Sequence, residues 1–351
     1  MVDVTVRGAG IFGLSVAWAC ARRGARVRVI EAVAVGAGSS GGPVGALAPH
    51  VPEAWNGKKA FQLESLLMAG DWWMAVEAAS GLASGYGRLG RLQPLADMRA
   101  VEAARRRADG ATVLWQGLAD WRVVPAIGAA WEPVSPSGWL VQDTLSARIS
   151  PRFALLALAE AVRAKGGSLV IGEAEDRGLV VHATGLAGLY ALSSELGREV
   201  GSGVKGQALA IRHDARAAPQ LFVDGLHIVP HADGTVAIGS TSETSWTDPG
   251  PDAALDGLLA RAVFAVPILA GAEVVTRWAG VRPRAISRAP LLGPIPWQPG
   301  HFVVNGGFKI GFGMAPLVAE VMADLLLDGH DRIPPAFRLE ALLVAGGNAK
   351  R

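Results

Sequence analysis

The first thirty residues place short apolar segments and a glycine-rich turn in an order that predicts strand, helix and strand. Largely apolar segments cover Val4–Val6 and Val27–Ile30, and a longer one covers Leu14–Ala21. Short runs fit buried strands, whereas the longer run fits a buried helix. The chain therefore opens with a β–α–β unit, the building block of a parallel sheet.

Further along the chain, helical patterns alternate with short strands. Apolar residues recur at helical spacing over 58–80. Ser150-Pro151 then predicts a helix over 152–165, with serine at the cap and proline in the first turn. A strand at Leu169–Ile171 and another running from Leu179 into a small-residue turn at Gly185 extend the parallel sheet. Pro316 opens the final predicted helix, Leu317–Leu327.

Residues 204–279 change to a β-rich pattern that predicts an antiparallel sheet. Asp233-Gly234 predicts a hairpin turn between two of its strands. The predicted strands are Val204–Ile211, Leu226–Val229, Thr235–Ile238 and Val274–Trp278. A chain of 351 residues also exceeds the usual size of a single core. We expect an α/β fold in which a Rossmann-type domain with a parallel sheet (1–57, 146–203 and 280–345) carries an inserted antiparallel-sheet substrate domain (58–145 and 204–279).

The turn after the first strand has the pattern of a dinucleotide-binding loop. Its residues are Gly8, Ala9, Gly10, Ile11, Phe12 and Gly13, a G-x-G-x-x-G sequence between a strand and a helix. The first glycine allows the tight turn, the second lets backbone approach a pyrophosphate, and the third lets helix and strand pack closely. Glu31 ends the second strand, where a carboxylate accepts hydrogen bonds from adenosine ribose hydroxyls and repels a 2′-phosphate. The sequence therefore predicts a dinucleotide other than NADP.

Two further glycine-rich segments are predicted to contact this ligand. Gly36–Gly45 follows the second strand, and Ser39 and Ser40 offer hydroxyl donors for phosphate or ribityl oxygens. Asn305–Ala315 precedes the helix predicted to begin at Pro316, whose free N–H groups would form a second anion site.

Composition narrows the class of protein. A net charge of +2 gives no support for DNA binding, and charged residues interrupt every long apolar run, so no transmembrane segment is predicted. No signal peptide is visible at the N-terminus. Cys20 is the only cysteine, which excludes an intrachain disulfide and favours a cytoplasmic protein. We predict no metal site.

Six segments follow one another along the chain in a characteristic order. They are Gly8–Glu31, Ser39-Ser40 with Gly45–His50, Val181–Gly185, His227–Pro230 with Ile238–Thr241, Trp278–Pro283 with Pro290–Gly293, and Gly306–Gly311 with Ala315-Pro316. Together they resemble the D-amino-acid oxidase superfamily of FAD enzymes, in particular its glycine oxidase and sarcosine oxidase branch, and the resemblance covers about residues 3–330.

The resemblance implies FAD as cofactor, held without a covalent bond because no cysteine lies near the flavin end. Ser39 and Ser40 would lie along the phosphates and ribityl chain, and Ala46 and Leu47 beside the isoalloxazine. The other implied cofactor contacts are the 8–13 turn, Glu31, Gly45, Ala183, Thr184, Gly185, Gly306, Gly307, Phe308, Lys309, Ile310 and Gly311.

The resemblance also implies a set of substrate residues. Arg282 matches the arginine that grips the substrate carboxylate, and Lys309 lies where glycine oxidases carry a second cation. His50 and His227 face the substrate region by alignment, although the family often places a tyrosine where this chain has His227. The implied reaction oxidises the C–N bond of a small amino acid or secondary amine to an imine, with hydride transfer to flavin N5 and O2 or a quinone as acceptor. A homo-oligomer is compatible with this reading.

Two other functions fit the sequence pattern. The FAD domain of the enzyme that matures the tRNA wobble uridine belongs to the same superfamily and would oxidise a side chain on tRNA. Alternatively, the chain is a flavoprotein subunit that needs a partner chain.

Overall fold

The computed structural model describes residues 2–345, which form two large sheets and eight helices. The strands are β1 Val4–Arg7, β2 Val27–Glu31, β3 Ala46–Leu47, β4 Arg91–Pro94, β5 Trp121–Pro125, β6 Trp139–Asp143, β7 Ala147–Arg148, β8 Ser168–Ile171, β9 Leu179–His182, β10 Gly201–Arg212, β11 Gln220–Val223, β12 Leu226–Pro230, β13 Thr235–Gly239, β14 Val274–Ala285, β15 Leu291–Pro294 and β16 His301–Asn305. The helices are α1 Ile11–Arg22, α2 Gly57–Ser80, α3 Met98–Leu114, α4 Pro151–Ala164, α5 Gly185–Leu196, α6 Ala254–Ala265, α7 Gly311–Asp328 and α8 Leu339–Ala345.

The smaller of the two large sheets has the predicted parallel core. Its order is β15-β16-β9-β1-β2-β8, and all neighbouring strands are parallel except β15 and β16. Helix α1 packs against α7 and α4, and its residues from Ile11 to Ala21 are buried. Cys20 lies within this stretch and is a free, buried thiol. The apolar run near the N-terminus thus forms a buried helix beside the parallel sheet, as its pattern predicted.

The larger sheet has eight strands in the order β14-β10-β13-β12-β11-β4-β6-β5. Its neighbours are antiparallel, apart from the parallel pair β11 and β4. Asp233-Gly234 makes the predicted turn between β12 and β13, and Gly234 has a φ of +83°. The α/β fold with a parallel and a mainly antiparallel sheet is therefore confirmed.

Strand β14 is longer than the sequence pattern indicated. It continues past Trp278 to Ala285, because it pairs with β10 along almost its whole length, from Gly201 opposite Ala285. The predicted domain boundaries at 203/204 and 279/280 fall inside β10 and β14, and the division into two domains stays a prediction.

Of the four predicted helices, α1, α2 and α4 are confirmed, and the start of the last was wrong. Helices α2 and α4 match the predictions, and α2 is capped by the Asn56 side chain and ended by Gly81 at a φ of +71°. Helix α7 begins at Gly311 rather than after Pro316, so the glycine-rich loop ends at Ile310. Burial of this helix from Gly313 to Ala323 outweighs the low helix propensity of glycine and the internal proline. Ser65 Oγ accepts the Leu317 N–H beside that proline at 3.3 Å.

Candidate cofactor and substrate site

One cavity of about 800 Å³ lies between the parallel sheet and the larger sheet. Its floor includes Gly8 after β1 and Thr184 after β9, both at carboxyl ends of parallel strands. Its roof includes Phe222, His227 and Arg282 from the larger sheet. Ligands of open parallel sheets bind at this edge of the strands, so the topology itself marks the cavity as a site.

The glycine turn leaves bare backbone at the cavity floor. Gly8 has a φ of +107°, and a Cβ there would lie 2.4 Å from the Ala183 carbonyl oxygen. A Cβ on Gly13 would lie 2.0 Å from the Gly8 carbonyl oxygen, so helix α1 can pack this closely only at glycine. The N-terminus of α1 opens onto the same space, with the Ile11 N–H donating to Ser40 Oγ at 3.1 Å. A bare cradle at a helix N-terminus fits a pyrophosphate.

Glu31 lies at the end of β2 and lines the cavity, as the dinucleotide interpretation requires. Its two carboxylate oxygens accept hydrogen bonds from Ala9 N at 2.7 Å and Val33 N at 3.1 Å. These bonds fix the carboxylate beside the glycine turn. The contact with an adenosine ribose stays a prediction.

Most of the residues predicted to bind the cofactor line the same cavity. Those that do are Gly8, Gly10, Ile11, Phe12, Glu31, Ser39, Ser40, Gly45, Ala46, Ala183, Thr184, Gly185, Gly307, Phe308, Lys309 and Gly311. Those that do not are Ala9, Gly13, Leu47, Gly306 and Ile310. The second group includes Gly13, whose task is helix packing rather than ligand contact. Segments that are far apart in the chain therefore meet around one ligand-sized space.

Arg282 lies on β14 in the cavity roof and is only 8% exposed. Its Nη1 donates to the Thr241 carbonyl oxygen at 3.2 Å. No carboxylate of residues 2–345 lies within 4.0 Å of the guanidinium, since no salt bridge to it is present. Burial lowers the pKa of Arg282 to about 10, and the negative charge of Glu243 acts against this shift. The cavity roof thus holds a buried cation that is still charged at neutral pH.

His227 of the larger sheet and Lys309 of the loop between β16 and α7 also line the cavity. Burial lowers the pKa of His227 to about 3, and the charges of Arg91 and Lys309 add to the shift, so the imidazole is neutral. Its ring lies 4.7 Å from that of Phe222. Partial desolvation and the charge of Arg282 lower the pKa of Lys309, whose ammonium lies 5.7 Å from the Phe308 ring centre.

His50 does not line the cavity. Its backbone N–H donates to Gln62 Oε1 at 2.9 Å, and its Nδ1 is bonded to the same oxygen. The Gln62 side chain also donates to Ala48 O at 3.3 Å, so the pair ties the 46–50 segment to helix α2. In this structure His50 has a local hydrogen-bonding role, and its predicted contact with substrate stays untested.

Sequence reasoning identified Arg282 but assigned no site role to three other residues of the cavity, Trp278, Phe222 and Ser240. Trp278 and Arg282 are four residues apart on β14, so they point to the same face of the sheet, and both line the cavity. Phe222 and Ser240 line it as well. The alternation from 278 to 282 was the available signal, but the strand was predicted to end at Trp278.

The fold and this site define a class: a dinucleotide-binding α/β protein with a second sheet that covers the ligand and carries a buried cation. The chain belongs to the DAO family of FAD dependent oxidoreductases, whose family model matches residues 3–325. FAD is therefore the cofactor, in agreement with the cradle and the glycine turn. When FAD is bound, its flavin is the group that accepts electrons from the substrate.

Two relatives and one solved structure illustrate the similarity. A glycine oxidase from Pseudomonas aeruginosa is 32% identical over 62% of this chain and 64% of its own length, so the match spans less than two thirds of that relative. A putative thiamine biosynthesis oxidoreductase, ThiO, from Rhizobium etli is 33% identical over 92% of this chain and 96% of its own. The crystal structure of glycine oxidase from Geobacillus kaustophilus has the same fold, with a TM-score of 0.81 at 23% identity over 96% of this chain and 98% of that one.

None of the helices between residues 2 and 345 has the length and apolar character that crossing a lipid bilayer requires.

Proposed function

We propose that this protein oxidises the C–N bond of a small amino acid or secondary amine to an imine, with FAD as the electron acceptor. The observation that carries the proposal is Arg282, a buried cation in the roof of the cofactor cavity with no carboxylate of the described chain beside it. The similarity to a glycine oxidase and to a ThiO protein supports the same class of substrate.

A buried guanidinium without a counter-ion needs an anion from outside the protein. Arginine has five N–H donors, and only one hydrogen bond of Arg282 to residues 2–345 is present, the bond to Thr241 O. Its remaining donors are available to a ligand on the cavity side. A planar carboxylate accepts two parallel bonds from this group, which would fix both the position and the plane of an amino acid.

Several other residues that line the cavity give it apolar and neutral surface. Phe222, Trp278 and Phe308 supply aromatic surface, and His227 stays neutral because burial keeps its pKa near 3. Apolar walls strengthen the attraction between Arg282 and a carboxylate, because the interaction is less screened than in water. The protein's own contribution to the reaction is therefore to bind the carboxylate, orient the amine-bearing carbon and exclude water.

O2 or a quinone is the proposed final electron acceptor. Oxygen consumption during turnover, compared with turnover on a soluble quinone under argon, distinguishes an oxidase from a dehydrogenase.

Anaerobic reduction of the FAD-loaded protein tests the proposed function. Glycine, sarcosine, D-alanine and L-proline would be added in turn, with methylamine and dimethylamine as controls that lack a carboxylate. We expect at least one amino acid to bleach the flavin absorbance and the simple amines to do so far more weakly. Bleaching by none of the amino acids, or by the simple amines equally well, would contradict the proposal.

A further inference from the structure

Arg282 lies across the roof sheet instead of projecting from it. It pairs with Val204 of the neighbouring strand β10. Two residues further along β10 is Gly206, and the arginine's Cζ and both Nη atoms lie within 2.1 Å of the place that a Gly206 Cβ would take. The guanidinium therefore covers the bare backbone of Gly206 and reaches the Thr241 carbonyl on the far side.

Thr241 is held in place by a short continuation of the ladder beside β10. Its N–H donates to Gln207 O at 3.1 Å, and its hydroxyl accepts from Gln207 N at 2.9 Å. Lys205 and Glu243 exchange two backbone bonds, each of 2.9 Å. The segment 241–243 is thus an ordered edge of the sheet, and its carbonyl is a fixed acceptor for Arg282.

Side-chain bonds lock this edge further. Glu243 Oε1 accepts from the Thr241 hydroxyl and from Gln207 Nε2, the latter at 3.1 Å. The buried Lys205 ammonium lies 3.5 Å from Glu243 Oε2 and 2.8 Å from Asp252 Oδ2. Partial burial raises the pKa of Glu243, but the hydrogen bonds from Thr241 and Gln207 and the charge of Lys205 lower it overall. Glu243 is therefore ionised at neutral pH and holds Thr241 without bonding to Arg282 itself.

We infer that Gly206 and Thr241 form an arginine seat, a pair of positioning residues that hold the Arg282 guanidinium flat on the sheet so that it can bind the substrate carboxylate. The inference rests on the proposed function and adds to it the residues that set the arginine's position. A side chain at 206 would occupy the guanidinium's place, and a displaced Thr241 carbonyl would remove its acceptor. Gly206 does not line the cavity, because Arg282 covers it.

Gly206→Ala is the direct test, because alanine needs no unusual backbone angle at this position: the glycine is not among those with positive φ. The new methyl would push the guanidinium off the sheet. A misplacement of about 1 Å in an active site can reduce the rate about 100-fold. We therefore expect Gly206→Ala to raise the KM for the best amino acid, and the Kd of acetate measured by flavin absorbance, about 100-fold. The FAD content should be unchanged. A matched control is Gly257→Ala, where nothing lies within 4 Å of the added methyl.

Thr241→Val gives a second, milder variant in case Gly206→Ala does not fold. It keeps the shape of the side chain and removes the hydroxyl that Gln207 and Glu243 bond. Loss of such a hydrogen bond should raise the Kd of acetate roughly 5-fold. Thr235→Val is its control, since that hydroxyl bonds only Asp233 in an exposed turn among the described residues.

A double-mutant cycle separates positioning from a general structural effect. If the seat acts through the arginine, Gly206→Ala on an Arg282→Ala background should change acetate binding less than about 2-fold, because coupled residues are not additive. The Gly206→Ala substitution alone should also leave the oxidation of a simple amine without a carboxylate nearly unchanged. Equal losses on the amine and the amino acid, or a full effect of Gly206→Ala without Arg282, would overturn the inference.

The outcomes also distinguish this inference from the proposed function. If the FAD-loaded parent protein reacts with no amino acid, the proposed function fails and the inference with it. If the parent reacts and both seat variants match it, the inference alone fails.

Discussion

Removal of the Arg282 side chain should weaken the handling of amino acids severely while leaving the fold intact. The Arg282→Ala substitution removes the main cationic partner of a substrate carboxylate that lies in the cavity beneath the larger sheet. Truncating one partner of a buried, hydrogen-bonded charge pair costs about 2–5 kcal/mol. Because every 1.4 kcal/mol is tenfold, this range corresponds to about 30-fold to several thousand-fold in kcat/KM. Lys309 lines the same cavity and provides some compensating charge, so we expect the lower half of the range.

The effect on stability should have the opposite direction. Arg282 is a buried cation without an ion pair in the described chain, and burial already lowers its pKa to about 10. Removing a desolvated, unpaired charge relieves a cost, so the FAD-loaded Arg282→Ala variant should unfold in urea at a midpoint equal to or above that of the parent. Functional sites commonly carry such a cost in stability.

The assay compares kcat/KM for an amino acid with that for the corresponding amine without a carboxylate. Arg282→Ala should reduce the first strongly and the second little, and Arg282→Lys should restore only part, since an ammonium cannot form two parallel bonds to a carboxylate. If Arg282→Ala handles amino acids as well as the parent, or loses FAD and stability together, the arginine is a structural residue and the reasoning is refuted.

Three further predictions concern the cofactor, the roof and its pH response. The purified protein should contain FAD that acid releases, and Glu31→Ala should weaken FAD binding without changing the spectrum of the bound flavin; FMN, or a flavin that stays with the precipitated protein, would contradict this. Asp143→Ala should lower the free energy of unfolding in urea by about 3–5 kcal/mol. The reason is that the Arg91 side chain is only 6% exposed and would lose the carboxylate 2.9 Å from its Nε. A decrease below about 1 kcal/mol would show that the pair does not hold the sheet together. His227 has a pKa of about 3 in the folded protein and about 6.5 in the unfolded chain, so the unfolded chain binds more protons between these two pH values. The free energy of unfolding should therefore decrease as the pH is lowered from 6.5 to 3, by up to about 1.4 kcal/mol per pH unit. His227→Phe should show a smaller fall between pH 6.5 and 4.5, and equal slopes would show that His227 is not the group responsible.

The parallel half of the molecule could be predicted from the sequence because its signals are local. The Gly8–Gly13 turn, the apolar helix after it and Glu31 occupy one continuous stretch, and each residue type has a specific backbone task there. The helix start at Ser150-Pro151 likewise depends only on neighbouring residues.

The roof depends on contacts between distant segments, and these were mostly missed. The extension of β14 to Ala285 is decided by its pairing with β10, which a reading of residues 274–285 alone does not show. Gly311 and Gly313 indicated a loop, whereas burial of this segment against α1 and α2 makes it helical. Arg282 could be named from its motif, but the role of Gly206, some 76 positions earlier, appears only when the two strands lie side by side.

The most direct test of the account is a crystal structure of the FAD-loaded protein with acetate, an unreactive carboxylate, at saturating concentration. We predict that both acetate oxygens lie about 2.7–3.2 Å from the Arg282 guanidinium nitrogens, in the cavity beneath Phe222 and Trp278, with the arginine still lying over Gly206. Acetate bound elsewhere in the cavity, or an Arg282 that instead pairs with a carboxylate of the protein once FAD is present, would contradict it.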